Sequence, residues 1–295
     1  MSVLARLAEI VLKLTAFKRN FSSAERLHAL IAKDRRHGPV TPSASMRRTL
    51  VVTERTIAGC QAWDIAPRGP STARALYFHG GSYVLDLIKY HWQLVERLVH
   101  ESGATITVPR YPLAPEAAHH EVLAFAEAAY DEVRPDVVLG DSAGAGLTLA
   151  LAQALRDAQK AQPRLLILLS PWLDVTMTDP KLAELDLLDP MLGIPGSVEA
   201  GRLYARHTDP RDPRISPLFG NLHGLPRMLV LTGTHDILHA DALQLRARCQ
   251  EEGITLDWLE GADMIHDWPL VVALPEARAA IRTMAARIVP RVDPR

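Results

Sequence analysis

A serine stands between two glycines in Gly140-Asp141-Ser142-Ala143-Gly144, directly after the apolar run Val137–Leu139 and directly before an Ala- and Leu-rich stretch. Strand, tight turn and helix in that order lift a serine hydroxyl clear of a sheet, beside a helix N-terminus, and present it as a nucleophile. The flanking glycines fit a turn whose backbones pass too close for side chains. A bare G-x-S-x-G arises often by chance, and its serine can also do no more than cap the helix. A hydroxyl attacking a carbonyl builds negative charge on oxygen, which needs backbone N–H donors close by. The glycine-rich turn His79-Gly80-Gly81-Ser82 follows an earlier buried strand and begins 63 residues before Ser142. Ala143, the residue after the serine, supplies another donor.

Holding these groups together requires a scaffold, and the chain alternates in a way that builds one. Short apolar runs at 75–78, 105–108, 137–139, 165–169, 228–231 and 255–259 are separated by helical patterns near 90–101, 119–133, 144–160 and 239–252, with a last helix near 275–288. Such alternation predicts a parallel sheet with helices on both faces. Thr49–Arg55 and Cys60–Ala66 read as an edge hairpin around Ala58-Gly59. Between Leu169 and Met228 the rhythm fails for 59 residues, with helix-like pieces near 181–188 and 197–206. That is too long for a connector and reads as a lid inserted over the strand ends. Ahead of the hairpin, Leu4, Leu7, Val11 and Leu14 recur at helical spacing, and a second helix runs from the N-cap Ser23 to Lys33. The apolar stripe of the first helix needs something to cover. The expected organisation is therefore a cap from residues 1–45 and the insertion 178–208, over a catalytic domain of residues 46–177 and 209–295.

Charge and cysteine usage narrow the partners. With 33 basic and 34 acidic residues the chain has a formal charge of -1, so no bulk field draws in nucleic acid or an anionic membrane. Cys60 and Cys249 lie far apart without a CxxC or Cys/His spacing, which fits a reducing cytoplasm and neither a disulfide framework nor a zinc site. Arg6, Glu9 and Lys13 interrupt every apolar run of the N-terminal stretch, which reads as neither a signal peptide nor a membrane span. The sequence holds no Walker A loop, no dinucleotide-binding G-x-G-x-x-G after its first parallel strand and no H-E-x-x-H, so neither metal nor cofactor is implied.

His79-Gly80-Gly81-Ser82, Tyr111-Pro112-Leu113-Ala114-Pro115-Glu116 and Gly140–Gly144 together resemble the hormone-sensitive-lipase-like branch of the α/β-hydrolase superfamily, from about residue 70 to the C-terminus. The resemblance implies a mostly parallel eight-stranded sheet flanked by helices, with a helical cap. It also implies oxyanion donors at Gly81 and Ser82, with Gly80 supporting the turn. The family's usual motif is H-G-G-G; serine in the last place keeps the N–H and adds only a crowding Cβ. In this family the acid and base follow the serine in chain order. Asp236, in Asp236-Ile237-Leu238 after a strand, matches the family's D-P-L at its acid and leucine. His266, in His266-Asp267-Trp268 after the last strand, stands where the family has H-G-F. Asp236 lies 94 residues after Ser142, and His266 another 30 beyond it. His235 and His239 rival His266, and beside the acid they are expected to face solvent or lid; Asp241 and Asp263 rival Asp236. Asp267 in place of glycine can raise the pKa of the histidine or compete for its proton.

Tyr111–Glu116 reads as a structural loop, with Glu116 free to satisfy backbone donors, and Asp141 as an acceptor that stabilises the turn. Tyr83, Asp141 and Trp172 are candidate pocket residues, for Tyr83 and Trp172 with core packing as an equal reading. The expectation is a cytoplasmic serine carboxylesterase, monomer or homodimer, cleaving small-molecule esters of short to medium chain through an acyl-enzyme. An amidase or lactonase would use the same triad. A ligand-binding protein on this scaffold, as resemblance to the plant gibberellin receptors allows, would lack the histidine that His266 supplies.

Overall fold

The computed structural model describes residues 1–289; residues 290–295, assigned above to the catalytic domain, lie outside the described residues. The chain begins with α1 (Val3–Thr15), a 3-10 turn at Phe17–Phe21, α2 (Ala24–His37) and α3 (Ala44–Thr49). Ser23 caps α2 by accepting from the Arg26 N–H, and Ser43 caps α3 in the same way from Met46. The short α3 occupies residues that the sequence pattern leaves between helix and strand.

β1 (Val51–Ile57) and β2 (Cys60–Ala66) pair from Val51 opposite Ala66 to Ile57 opposite Cys60, closed by Ala58 and Gly59 at φ 45° and 81°. There follow β3 (Arg74–Phe78), α4 (Lys89–Ser102), β4 (Thr105–Pro109), α5 (His119–Val133), β5 (Val137–Asp141), α6 (Ala143–Asp157) and β6 (Leu165–Leu169). The long interval holds α7 (Leu182–Leu188) and α8 (Ile194–Ala205); the chain closes with β7 (Arg227–His235), α9 (His239–Glu251), β8 (Leu256–Ile265) and α10 (Pro275–Ile288). The eight strands order as β1-β2-β4-β3-β5-β6-β7-β8, with β1 and β2 antiparallel to their neighbours and the rest parallel. β7 and β8 extend beyond their apolar stretches because their ladder continues through polar residues to His235 opposite Ile265.

The central strands are mostly apolar because both faces are covered. Val138, Leu166, Leu168 and Val230 pack under α5, α6 and α9, while Leu139, Ile167, Leu169 and Leu231 pack under α4 and α10. Each such side chain contributes roughly 1.5–3 kcal/mol on leaving water. Register then decides what meets at the carboxyl edge. Phe78 lies opposite Gly140, so the loop after β3 meets the turn after β5; His235 lies opposite Ile265, so the loops after β7 and β8 meet as well.

The N-terminal region divides. The Phe17–Phe21 turn and α2 pack on α8, so closely that a Cβ at Gly196 would lie 2.5 Å from Phe21 Cα. α1 does otherwise. Leu4, Leu7, Val11 and Leu14, expected to cover something, face solvent, and the buried residues of α1 are Ala5 and Glu9. The helix is held through polar groups instead: Ser2 Oγ donates to Glu276 Oε2 at 3.0 Å, and Glu9 Oε1 lies 3.2 Å from His235 Nδ1.

Candidate active site

Ser142 sits at φ 51°, ψ -119°, a conformation unfavourable for a residue with a Cβ. Its surroundings impose it. A Cβ on Gly140 would lie 2.3 Å from the Gly144 carbonyl oxygen, and one on Gly144 would lie 2.0 Å from that of Phe78, so only glycine fits on either side. The Ser142 N–H donates to Leu169 O at 2.8 Å, and its carbonyl accepts from Ala145, Gly146 and Trp172 at 3.1, 3.2 and 3.1 Å. With the backbone locked on both sides, the side chain stands at the carboxyl edge of the sheet, at the first turn of α6. This is the edge, next to the point where strand order reverses, at which open α/β sheets take their ligands.

The loop after β3 runs through three left-handed residues, Gly81, Ser82 and Tyr83, at φ 121°, 55° and 62°. Val84 and Leu85 both donate to Gly81 O, at 2.9 and 2.8 Å, which curls the loop. The N–H groups of Gly81, Ser82 and Ala143 meet no backbone carbonyl among the described residues. Beneath the loop lies Asp141, fully buried, bonded to the Tyr77 hydroxyl and 3.5 Å from His91 Nε2. Burial raises its pKa, but His91 and Tyr77 outweigh burial and hold it below the ordinary carboxylate value. A Cβ on Gly80 would come within 2.4 Å of Asp141 Oδ2, which explains the glycine there. Asp141 thus props the loop from below. His79 stacks on Tyr111 at 4.4 Å and is pushed down to about 4 by burial and by His91, so it is neutral.

Asp236 and His266 meet as the β7/β8 register requires. His266 Nδ1 lies 3.0 Å from Asp236 Oδ2, while Asp236 Oδ1 accepts from the Leu238 N–H at 2.8 Å. Both side chains are buried. The other imidazole nitrogen, Nε2, lies 3.1 Å from Asp267 Oδ2, and no hydrogen bond joins it to Ser142 among the described residues. Burial opposes charging of His266, but the two carboxylates prevail and raise its pKa well above the usual value. Asp267 is itself pushed up to about 7, mainly by burial and despite the pull of His266. Its N–H donates to Ser170 Oγ at 3.0 Å, on the loop next to the Ser142 turn.

The rivals lie elsewhere. His235 faces Glu9 of α1. His239, expected toward solvent or lid, is buried with Nδ1 3.0 Å from Thr232 Oγ1, and burial lowers its pKa. Asp241 accepts from the N–H groups of Leu173 and Asp174 at 2.7 and 2.9 Å, and Asp263 is exposed. The sequence reading missed Asp189. Its Oδ1 accepts from Met191 and Leu192 at 2.6 and 2.9 Å, and its Oδ2 from the Ile237 N–H at 2.9 Å. The departure from D-P-L is used here, because proline at 237 would have no N–H to give Asp189. Burial and the nearby charge of Asp236 push Asp189 up to about 6. Only the Asp189-Pro190 pair after an apolar helix hinted at it, and such a pair signals a turn rather than a partner for Asp236.

Tyr83 stacks face to face on Tyr204 of α8 at 3.7 Å, and Trp172 lies 5.8 Å from Tyr83; both Tyr83 and Trp172 are buried in the core. Glu116 pairs with Arg35 of α2 at 3.0 Å rather than with backbone donors. The same guanidinium donates to Val84 O and Ala114 O at 2.8 and 2.9 Å, which ties α2 to the loops after β3 and β4. Among the described residues no cluster of His, Cys, Asp or Glu could hold a metal ion, and no helix is long and apolar enough to cross a membrane.

Comparison with known proteins agrees with this geometry. Residues 75–270 match the family described as alpha/beta hydrolase fold. The chain is 32% identical over 239 residues to an acetyl-hydrolase of Streptomyces hygroscopicus, covering 78% of this chain and 80% of that one. It is 30% identical over 250 residues to an esterase of Acinetobacter venetianus, covering 80% and 81%. Its fold superposes with a TM-score of 0.82 on an esterase from the bacterial hormone-sensitive lipase family, at 25% identity and with 97% and 99% of the two chains covered. Sheet order, glycine-flanked serine turn and extent of similarity lead to one conclusion: the chain belongs to the α/β-hydrolase fold family, in its hormone-sensitive-lipase-like branch.

Proposed function

We propose that the protein is a serine carboxylesterase in which Ser142 is the nucleophile, His266 the general base and Asp236 the residue that orients it. The observation that carries this reading is the Asp236–His266 pair at 3.0 Å, at the same sheet edge as a serine locked at φ 51°. His266 Nε2 takes the Ser142 proton as Oγ attacks the ester carbonyl, and Asp236 stabilises the imidazolium that forms. The N–H groups of Gly81, Ser82 and Ala143 receive the developing oxyanion. His266 then protonates the departing alcohol, and water activated by the same nitrogen releases the acid from the acyl-enzyme. For the first proton transfer Nε2 must exchange Asp267 for Ser142, so Asp267 acts as a competitor in the resting site.

The substrate class is a small carboxylic ester of short to medium acyl chain; amides and lactones are the alternatives the same triad would serve. The Phe17–Phe21 turn, α2 and α8 form the roof of the site, a reading supported by the Tyr204–Tyr83 stack and the bonds from Arg35 to Val84 and Ala114. The two free cysteines support a reducing cytoplasm, and the family resemblance a monomer or homodimer. Turnover of p-nitrophenyl esters from acetate to decanoate, by wild type and Ser142→Ala, tests the reading. Short esters should be hydrolysed, the variant should be folded and inactive, and an organophosphate should label Ser142 alone. A variant that keeps wild-type turnover would overturn it.

A further inference from the structure

α1 is amphipathic in the reverse sense for a surface helix. At 100° per residue, Val3, Leu4, Leu7, Ile10, Val11 and Leu14 fall within an arc of about 120°. That arc faces solvent, with relative exposures of 75, 53, 51, 50, 54 and 80%. The inward face carries Ala5, Glu9 and the half-buried Leu12. Phe17 is exposed just beyond the helix, as are Leu187 and Leu188 on α7, which Lys18 ties to the turn after α1 through Asp189 O at 3.1 Å. A soluble monomer seldom leaves so continuous an apolar row in water.

The unpaired charges of residues 1–21 are cationic: Arg6 and Arg19 form no salt bridge among the described residues, while Lys18 pairs with Asp186 of α7 at 3.1 Å. Residues 1–21 contain Arg6, Lys13, Lys18 and Arg19 and a single acid, Glu9. Glu9 is buried and already paired with Lys13 at 2.7 Å and with His235 at 3.2 Å. The near-neutral total therefore hides a local cationic, apolar segment. A second copy docked on this helix about a two-fold axis would set cations against cations with no exposed acid from the segment to pair them. An anionic lipid surface takes both features at once, the apolar arc among acyl chains and the cations among headgroups.

We propose that α1 is an interfacial helix that docks the enzyme on an anionic lipid bilayer, lying in its plane with Leu4, Leu7, Val11 and Leu14 inward and with Arg6 and Arg19 at the headgroups. The contact between Glu9 and His235, the residue before Asp236, couples the docked helix to the strand ends that carry the site. Docking therefore brings the carboxyl edge of the sheet to the lipid surface, where esters that partition into the membrane are concentrated. That consequence for substrate class rests on the esterase reading; the docking does not.

Co-sedimentation of the full chain with phosphatidylglycerol/phosphatidylcholine vesicles, and with phosphatidylcholine alone, tests the proposal. Wild type should bind the anionic vesicles and lose affinity on raising salt or omitting the anionic lipid. Leu7→Asp/Val11→Asp should weaken binding about tenfold or more and Arg6→Glu about fivefold or more, while turnover of p-nitrophenyl acetate stays unchanged. Wild type that ignores anionic vesicles, or an aspartate variant that binds them as well as wild type, overturns the proposal. A wild-type dimer that Leu7→Asp/Val11→Asp converts to a monomer, without vesicle binding, also overturns it and assigns the face to a second copy. Vesicle binding by a protein that hydrolyses no ester would sink the esterase reading and leave the docking intact.

Discussion

Asp267 Oδ2 lies 3.1 Å from His266 Nε2, the nitrogen assigned to Ser142. The histidine is thus held at both ends, since Asp236 occupies Nδ1. Two negative neighbours favour the protonated imidazole, which is the form that cannot accept the serine proton. Because its pKa is raised, the acid limb of kcat/KM should lie above about 6.5, the ordinary histidine value.

Replacing Asp267 should move that limb in a known direction. Residue 267 sits at φ 50°, ψ 33°, which glycine adopts freely, so Asp267→Gly keeps the backbone while removing the charge and the competing acceptor. Losing a negative neighbour lowers the pKa of His266, so the limb should shift toward about 6.5 and activity at acid pH should rise several-fold. Asp267→Asn should give the shift with a smaller gain. pH–rate profiles of the three proteins check this; a limb that stays put or moves alkaline would show that Asp267 does not govern the base.

Histidine scanning separates the base from its neighbours. His266→Ala should lose about a thousandfold or more in kcat, as removal of a triad member does. His235→Ala breaks the links to Glu9 and Asp263 and should turn over short esters near the wild-type rate. His239→Ala should lower thermal stability and leave kcat within a few-fold. An inactive His239→Ala that is fully folded would mean the base is misassigned.

Asp189 should matter first for stability. Asp189→Ala orphans the N–H groups of Met191, Leu192 and Ile237 and should cost about 2–5 kcal/mol in urea denaturation. There is also a pH signature. The folded pKa of Asp189 is raised to about 6, against about 3.9 in an unfolded chain, so the native state holds the proton more tightly. Its contribution to stability is then full below about pH 4 and is lost as pH rises through about 6. The stability difference between wild type and Asp189→Asn should therefore change across that window; a flat difference would count against a buried, raised carboxyl.

Ser82→Gly tests the departure in the loop after β3. Serine at φ 55° carries left-handed strain of about 1 kcal/mol, which glycine removes at some cost in chain entropy. A net gain of no more than about 0.5 kcal/mol is expected, with kcat within about threefold because the N–H is retained. A large loss of kcat would mean that the Ser82 side chain, and not only its N–H, serves the reaction.

Strand–helix alternation made the parallel sheet legible without a structure, because a strand buried on both faces is a short apolar run and a helix beside it has its own period. The turn at Ser142 was equally plain, since glycine on both sides reports backbone crowding that is local to the motif. Asp236 and His266 were nameable only by resemblance and chain order; their meeting follows from the register of His235 opposite Ile265, which polar strand ends do not announce. Three features were decided by the tertiary structure alone. His239 is buried with its ring 6.4 Å from that of Trp258 on β8, and Asp189 reaches Ile237, because separate elements pack there, and no periodicity encodes those contacts. The spacing of Leu4, Leu7, Val11 and Leu14 fixed an apolar face on α1 but not its direction. Periodicity ranks the faces of a helix against one another, whereas contacts from the rest of the chain, here Glu276 and His235, determine which face turns inward.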